Sequence, residues 1–202
     1  SNIHAEDGLD IIAAGRNEGS TVVVSGSASG GLSIVGSAGV NKFSDKIKSR
    51  VENSVLTWAG NDGLLINASS DVYGYLAGGA GAVGSNGGAA GVFVQMGRQT
   101  TKAELINSSA LGSDGDVTIN AENRMDMRAI SGALALTGGV GIAGIFAIYD
   151  TASKAATTVD NSTIDGSGGY DLTNVAITAQ EDIVAMQISA MAAVGSSFGG
   201  GA

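Results

Sequence analysis

The sequence predicts an all-β fold of the solenoid class, in which strands stack coil upon coil along one axis. Three observations predict it: sequence markers that recur with a period near 54, strand-like segments that alternate apolar and polar residues, and 33 glycines without a single proline. Proline removes a hydrogen-bond donor from a ladder and is confined to edges, bulges and turns. Its absence favours a chain whose segments are paired on both sides.

Two sequence markers carry the repeat. An Asn-Ser pair begins at three equally spaced positions, Asn53, Asn107 and Asn161, whose numbers rise by 54 at each step. A short strand that ends in alanine occurs four times, at Ala13, Ala68, Ala121 and Ala179, with spacings of 55, 53 and 58. Such units cannot bury their apolar faces alone and form a common core by stacking. At roughly 18 to 20 residues per coil, each repeat is expected to hold three coils.

Alternation assigns the segments between the turns to strands. In 117–121 (Val-Thr-Ile-Asn-Ala) apolar residues alternate with polar ones, the period of two that a strand with one buried face shows. The best helical candidate, 41–52, is short and polar. We expect parallel stacking to place four isoleucines in inward apolar files: Ile11, Ile66, Ile119 and Ile177.

The chain is predicted to be one solenoid, residues 8–202, made of nearly four repeats at 8–62, 63–115, 116–174 and 175–202. Residues 1–7 are interpreted as a tag scar and a disordered end, which makes the chain an excised piece of a longer protein. No basic region followed by an apolar run is present there, so no signal peptide is expected. Segment 194–202 stops inside a charge-free tract, and end-to-end association or a makeshift cap is expected.

Charge-free, glycine-rich tracts recur in every repeat, at 19–41, 72–97, 129–149 and 183–202. The third is long enough for a membrane-spanning helix. The second carries Ser85, Asn86 and many glycines, which disfavour both a helix and insertion. Buried β-structure is the interpretation that covers all four, with Gly87-Gly88 and Gly138-Gly139 as turns or bulges.

Composition and motifs argue against several classes of function. The lack of cysteine excludes disulfides and thiolate metal sites, and a net charge of −9 argues against a nucleic-acid partner. The glycine loops lack the context of a phosphate site. Tandem Gly-Asp repeats of a calcium β-roll are missing, which leaves Asp114 and Asp116 as a solvated turn. No catalytic residue, metal or cofactor is expected.

The candidate contact residues are one basic cluster and one tryptophan. The cluster, a candidate for binding anionic glycans or a host membrane surface, consists of Lys42, Lys46, Lys48 and Arg50. A solvated strand or loop is the simpler alternative for it. Trp58 is either a ligand platform or a cap on the local core, and the sequence leaves both open.

The segment Gly-Asp-Val-Thr-Ile-Asn-Ala at 115–121, with the Gly/Ala-rich tract that follows and a Lys-Ala…Asn-Ser element, resembles leukotoxin-type filamentous adhesins. These are large two-partner-secretion or autotransporter-like passengers. The resemblance covers the chain from Gly8 onward and rests on structural repeats. It implies a right-handed parallel β-helix, exported through an outer-membrane transporter of a Gram-negative bacterium, with host-cell attachment or leukocyte toxicity as the role of the full protein.

The expected function is that of an extracellular structural and adhesive segment that contacts a host-cell receptor or glycan. The alternative is a β-helix polysaccharide lyase or glycoside hydrolase, which needs two carboxylates at a suitable separation. The single histidine, His4, lies at the end expected to be disordered, and the aromatic residues are scattered. The chain is therefore expected not to be an enzyme.

Overall fold

The computed structural model of the chain describes residues 1–166 and 172–196, together with the backbone of 198–201. Within these residues the chain forms twelve strands and no helix. The strands are β1 (Asn2–Ala5), β2 (Leu9–Ala28), β3 (Leu32–Glu52), β4 (Val55–Trp58), β5 (Leu64–Gly84), β6 (Asn86–Ile106), β7 (Ser109–Gly112), β8 (Asp116–Thr137), β9 (Val140–Asp160), β10 (Thr163–Gly166), β11 (Asn174–Val194) and β12 (Phe198–Gly201).

The strands belong to three parallel sheets of four strands each. Sheet A has the order β1-β4-β7-β10, sheet B the order β2-β5-β8-β11, and sheet C the order β3-β6-β9-β12. Along the chain, one coil supplies one strand to each sheet, and the next coil pairs its strands in parallel beside them. The molecule is a parallel β-helix, as the repeat predicted.

One coil takes a whole repeat. Leu9 pairs with Leu64, and Leu64 pairs with Val117, so adjacent strands of one sheet are separated by a full period of the sequence. The prediction of three coils per repeat is therefore wrong. The glycine-rich tracts continue as strand instead of turning, so that β2, β5 and β8 reach 20, 21 and 22 residues. Each coil is a flattened loop of two long strands and one short one.

The predicted apolar files are confirmed in sheet B. Ile11 pairs with Ile66, Ile66 with Ile119, and Ile119 with Ile177. Ile66 and Ile119 are fully buried in the two middle coils. Ile177 is half exposed because it lies in the last coil, where the facing strand β12 has only four residues.

The Asn-Ser marker forms the corner between sheets C and A. The three asparagines have positive φ, of 50°, 47° and 44°, at Asn53, Asn107 and Asn161. Asparagine tolerates this left-handed region better than other residues with a side chain. The Asn161 amide donates to the Asn107 side-chain oxygen at 2.8 Å. The Ser108 hydroxyl accepts from the Ser54 N–H at 3.1 Å, so the corner is tied coil to coil.

Two local interpretations of the sequence are wrong. Asn2–Ala5 is not disordered, because it adds strand β1 to the free edge of β4, and the ring of His4 shares a 2.8 Å hydrogen bond with Thr57. Segment 41–52, whose short and polar character argued against a helix, is the second half of β3, as the all-β prediction requires. Gly87-Gly88 lies inside β6, whereas Gly138-Gly139 does form the predicted turn, between β8 and β9.

The C-terminal strand continues the coil. The backbone of β12 pairs in parallel with β9, from Phe198 opposite Val140 to Gly201 opposite Ala143. Segment 194–202 therefore does not fold back as a cap over β11 in the residues described. Residues 197 and 202 of that segment lie outside the described residues.

Each coil has a thick half and a thin half. The thick half, called the base, contains sheet A and a core of large side chains that include Leu56, Trp58 and Leu105. The thin half, called the wing, lies beyond the cross-strand rows of Ser20 and Lys42 and consists of residues 21–41, 76–95, 129–149 and 187–196. Its core is made mainly of alanine, with Ala80, Ala82, Ala89, Ala133, Ala135 and Ala143 buried. The tracts predicted to be buried are thus only half buried, since alternate residues point outward.

A polar seam lies inside the molecule between base and wing. The Gln99 amide donates to the Ser70 carbonyl at 2.5 Å, and the Asn123 amide donates to the Ser153 hydroxyl at 2.9 Å. The Thr101 hydroxyl donates to the Asn123 side-chain oxygen. Buried amides and hydroxyls need such partners. The side-chain oxygen of Gln99 is an exception in the seam, because it is buried without a hydrogen-bond partner among the described residues. The seam holds sheets B and C in one alignment where the core narrows.

Candidate functional site

The predicted basic cluster forms a one-sided surface on β3. Alternation turns its four side chains outward, where all are exposed: Lys42, Lys46, Lys48 and Arg50. Asp45, the acidic residue within the run, has the opposite parity and points inward. It accepts a hydrogen bond from the Asn17 amide at 3.2 Å inside the coil. The strand period therefore separates the acid from the cations and leaves a purely basic row on the surface.

Neighbouring coils extend this row into a basic face, the outward side of residues 42–52, 96–106 and 150–160. Lys102 of β6 lies beside Lys48, and Lys154 of β9 lies in the same cross-strand row as Lys46. Arg98 completes the set, which holds seven of the ten basic residues of the chain. Four acidic residues share the face, Glu52, Glu104, Asp150 and Asp160. Seven basic and four acidic residues give the face a net charge of +3, although the chain carries −9.

One buried carboxylate organises part of the basic face. Glu104 is 6% exposed and lies beneath three cations. Its carboxylate is 2.7 Å from the Lys48 ammonium, 3.6 Å from the Arg50 guanidinium and 3.8 Å from the Lys102 ammonium. A buried carboxylate requires such pairing. Arg50 also pairs with Glu52 at 2.5 Å, so three cations and two carboxylates leave a surplus of one positive charge.

The other cations of the face are less compensated. Arg98 is 3.4 Å from Asp150. Lys42, Lys46 and Lys154 make no ion pair within the part of the chain that the structure describes. Side chains on one face of a strand repeat every ~7 Å, and neighbouring strands lie ~4.8 Å apart. The cations therefore form a grid that matches a polyanion with regularly spaced charges.

A small pocket lies at the edge of the basic face nearest the wing. It has a volume of about 270 Å³ and is lined by Lys42, Phe43, Ser44, Met96 and Arg98. Two cations flank apolar atoms of the lining. This combination suits one anionic group on a partly apolar ligand, such as a sulfated or carboxylated sugar ring.

Trp58 is not a surface contact. It is 2% exposed, and its indole N–H donates to the Asp114 carbonyl at 2.8 Å. The ring occupies the space above Gly112, its partner in the next coil, where a β-carbon would collide with it. The local-core interpretation of Trp58 therefore holds, and the ligand-platform interpretation does not.

A second polar surface lies on sheet B, where base and wing meet. A concavity of about 460 Å³ is lined there by residues that include Tyr73 and Tyr75. The Arg16 guanidinium lies 5.3 Å from the centre of the Tyr73 ring, within the range of a cation–π interaction. Its hydrogen bond to Glu18 raises the pKa of Arg16, and a hydrogen bond to Asp126 likewise raises the pKa of Arg128.

The two carboxylates of this concavity bear on the enzyme alternative. Glu18 and Asp126 flank Tyr73 in one cross-strand row. Glycosidic cleavage needs one protonated carboxyl group and one carboxylate. Here Asp126 accepts two hydrogen bonds from Arg128, both of 2.8 Å, and Glu18 accepts one from Arg16 at 2.6 Å. Each carboxylate is committed to an arginine on its own strand, an arrangement that does not suit a general acid.

Comparisons with known proteins identify no relative. No family model, no curated protein and no solved structure matches the chain. Among the residues described, no helix is long and apolar enough to span a membrane.

Four of the seven cations of the basic face were predicted from the sequence. The other three are far from them along the chain and were not predicted: Arg98, Lys102 and Lys154. The repeat period near 54 was the signal that could have found them. Lys102 follows Lys48 by one such period, and Lys154 follows Lys46 by two.

Proposed function

We propose that the chain is an extracellular adhesive segment of a bacterial surface or secreted protein, and that its basic face binds an anionic glycan of a host cell. The observation that carries the proposal is the collection of seven of the ten basic residues on one flat face of an acidic chain. Flat arrays of fixed cations attract polyanions and raise the rate at which they bind. Basic patches of this kind are typical of sites for heparin or nucleic acids, and the net charge of −9 argues against a nucleic-acid partner.

The fold supports the same role. A parallel β-helix is a stiff rod in which each coil contacts only its neighbours, so it can extend a binding surface away from a cell. The proposed export through an outer-membrane transporter follows from the resemblance to filamentous adhesins. We propose no catalytic step, because the paired carboxylates of sheet B are arranged as ion pairs.

The test is binding to heparin, with uncharged dextran as the comparison polysaccharide. The variant replaces the three cations that make no ion pair among the described residues (Lys42→Gln, Lys46→Gln, Lys154→Gln). It is expected to weaken heparin binding by about tenfold or more, because each exposed charge contact is worth up to ~1 kcal/mol and ~1.4 kcal/mol is a factor of ten. Affinity should also fall steeply with salt, because exposed charges are screened.

A matched control removes the same number of cations from sheet B, as Arg16→Gln, Arg124→Gln and Arg128→Gln. This variant is expected to bind heparin as well as the unmodified chain. Equal losses in the two variants would mean that net charge alone governs binding. Equal binding to dextran and heparin would exclude the anionic-glycan proposal.

A further inference from the structure

The wing reverses the usual arrangement of a sheet in water. Most of its inward positions carry small or polar residues, among them Ser33, Ser131 and Ala133, all buried, and Leu76 and Phe93 are large buried exceptions. Its outward positions carry larger apolar side chains that are exposed, such as Val24 at 78%, Ile34 at 71% and Phe146 at 61%. Large contiguous apolar patches on a soluble protein mark an interaction surface.

The apolar surface covers both faces of the wing. Val24 projects from sheet B and Ile34 from sheet C, on opposite sides of the same coil. No charged residue occurs between Glu18 and Lys42, and the same holds for the corresponding stretches of the second and third coils. The tip that joins the two faces is polar but uncharged, as in Ser29-Gly30-Gly31. A single protein partner would cover one face and leave the other in water.

The depth of the wing matches the apolar thickness of a membrane. From Ser20 to the tip at Gly30 the chain takes ten steps, about 33 Å at ~3.3 Å per residue. The hydrocarbon core of a bilayer is ~30 Å thick. Tyr75, Lys42 and Arg128 lie at the boundary between wing and base. Tyrosine and basic side chains are the residues that favour the level of the lipid headgroups.

Much of the wing backbone is suited to a medium without water. Strands β5, β6 and β8 are paired in parallel along the wing on both sides, whereas the second edge of β9 is paired only from Val140 to Ala143. The tip is bonded coil to coil as well, since the Ser85 N–H donates to the Gly31 carbonyl at 3.0 Å and the Gly138 N–H to the Gly84 carbonyl at 3.1 Å. In hydrocarbon every backbone group must be satisfied within the protein, and β5, β6 and β8 meet this demand.

We propose that the wing inserts into the hydrocarbon core of a lipid bilayer, with its strands across the membrane and the base outside. Lipid chains cover both faces at once, which accounts for the two-sided apolar surface and for the charge-free tip. The partner is thus a membrane, and the site is separate from the basic face proposed to bind glycans.

The test is flotation with vesicles of pure phosphatidylcholine in high salt. These vesicles carry no net charge, so attraction to the basic face does not contribute. Val24 lies near the middle of the wing, where a lysine on a lipid-facing strand is most costly. Val24→Lys is expected to weaken vesicle binding by about thirtyfold or more. Ile12→Lys changes an equally apolar, 56% exposed residue of the same strand in the base and is expected to have no effect.

A second measurement does not depend on the lysine variants. The chain has no cysteine, so Val24→Cys and Ile12→Cys each offer one site for a polarity-sensitive fluorophore. Vesicles are expected to shift the emission of the label at position 24 to the blue and to leave the label at position 12 unchanged. Circular dichroism and thermal melting check that the variants fold, since both residues are exposed.

Three outcomes overturn the proposal. The first is no flotation and no shift of either label. The second is a shift at both positions, which would mean general adsorption. The third is association in the absence of vesicles that Val24→Lys abolishes, which would show that a second copy covers the wing. A Lys46→Gln, Lys154→Gln double variant leaves the boundary residue Lys42 in place. It is expected to keep vesicle binding while weakening heparin binding, so the two proposals fail separately.

Discussion

Ile119 shows how a single inward position is fixed by the coils on either side of it. It is fully buried and lies between Ile66 and Ile177 in one file of sheet B. A side chain in such a file is covered by its own coil and by both neighbouring coils. The file exists because the repeat keeps the same parity from coil to coil.

Replacing Ile119 with aspartate is expected to unfold the chain. Burial of an unpaired carboxylate costs several kcal/mol, comparable to the ~5–15 kcal/mol that stabilises a typical domain. Ile12→Asp changes an exposed isoleucine of the same sheet and should alter the free energy of unfolding by less than about 0.5 kcal/mol. Circular dichroism during urea unfolding measures both. An unchanged midpoint for Ile119→Asp would contradict its burial.

Predictions for single residues were confirmed where the sequence pattern of one strand was sufficient to make them. The alternation of 117–121 alone identified Ile119 as inward. Trp58 could not be placed in this way, because the space for its ring is created by Gly112, which lies one coil further along the chain. The sequence places Trp58 beside a turn whether its ring is buried or exposed. Only the register of the coils shows that its neighbour in the next coil, Gly112, has no side chain.

At the scale of elements, the corners decide how the strands are joined. The Asn107 corner turns β6 into β7 with a φ of 47°. Its left-handed conformation is repeated at Asn53 and Asn161, so each coil turns at the same place. This repetition keeps sheets A and C in register along the axis.

Asn107→Ala is expected to destabilise the chain by about 1–2 kcal/mol, because an ordinary side chain is strained at positive φ. Asn107→Gly should cost less, since glycine adopts this conformation freely, although it also loses the hydrogen bond from Asn161. Urea unfolding of the two variants provides the comparison. A glycine variant less stable than the alanine variant would show that the amide ladder, and not the backbone conformation, governs the corner.

The length of a coil was the element-level feature that the sequence did not reveal. Period-two alternation identifies a strand when one face is apolar and the other polar, as in 117–121. In the wing, outward Val24 and Ile34 are apolar and most inward residues are small or polar, so the difference in polarity between the two faces of the strand is weakened or reversed. The tracts therefore looked like turns and buried segments, and three short coils were predicted where one long coil exists.

At the scale of the whole molecule, the flattened shape of the coils places residues of different chemistry on separate surfaces. The base carries cations on sheet C and the arginine–carboxylate pairs on sheet B, whereas the wing is uncharged on both sides. The basic run of β3 was predictable from adjacent residues. Its extension to β6 and β9, and the pairing of two apolar faces on one wing, depend on three-dimensional register.

The last coil exposes its inward side, and this side is expected to drive association in water. In the last coil β12 supplies only four residues opposite the 21-residue β11, so inward apolar residues such as Val175, Ile177 and Ile183 are 44–48% exposed. Burying such surface is favourable by ~25 cal/mol per Å², and the free edges of β11 and of the first coil can pair with another chain. Sedimentation across a concentration series without lipid is expected to show a mass that rises with concentration.

Ile183→Lys should suppress the rise, because it places a charge in the contact. Val184→Lys is the matched control, since this adjacent residue is equally exposed but points outward. Suppression by Val184→Lys alone would move the contact to the outer face, and a chain that stays monomeric at every concentration would refute end-to-end association.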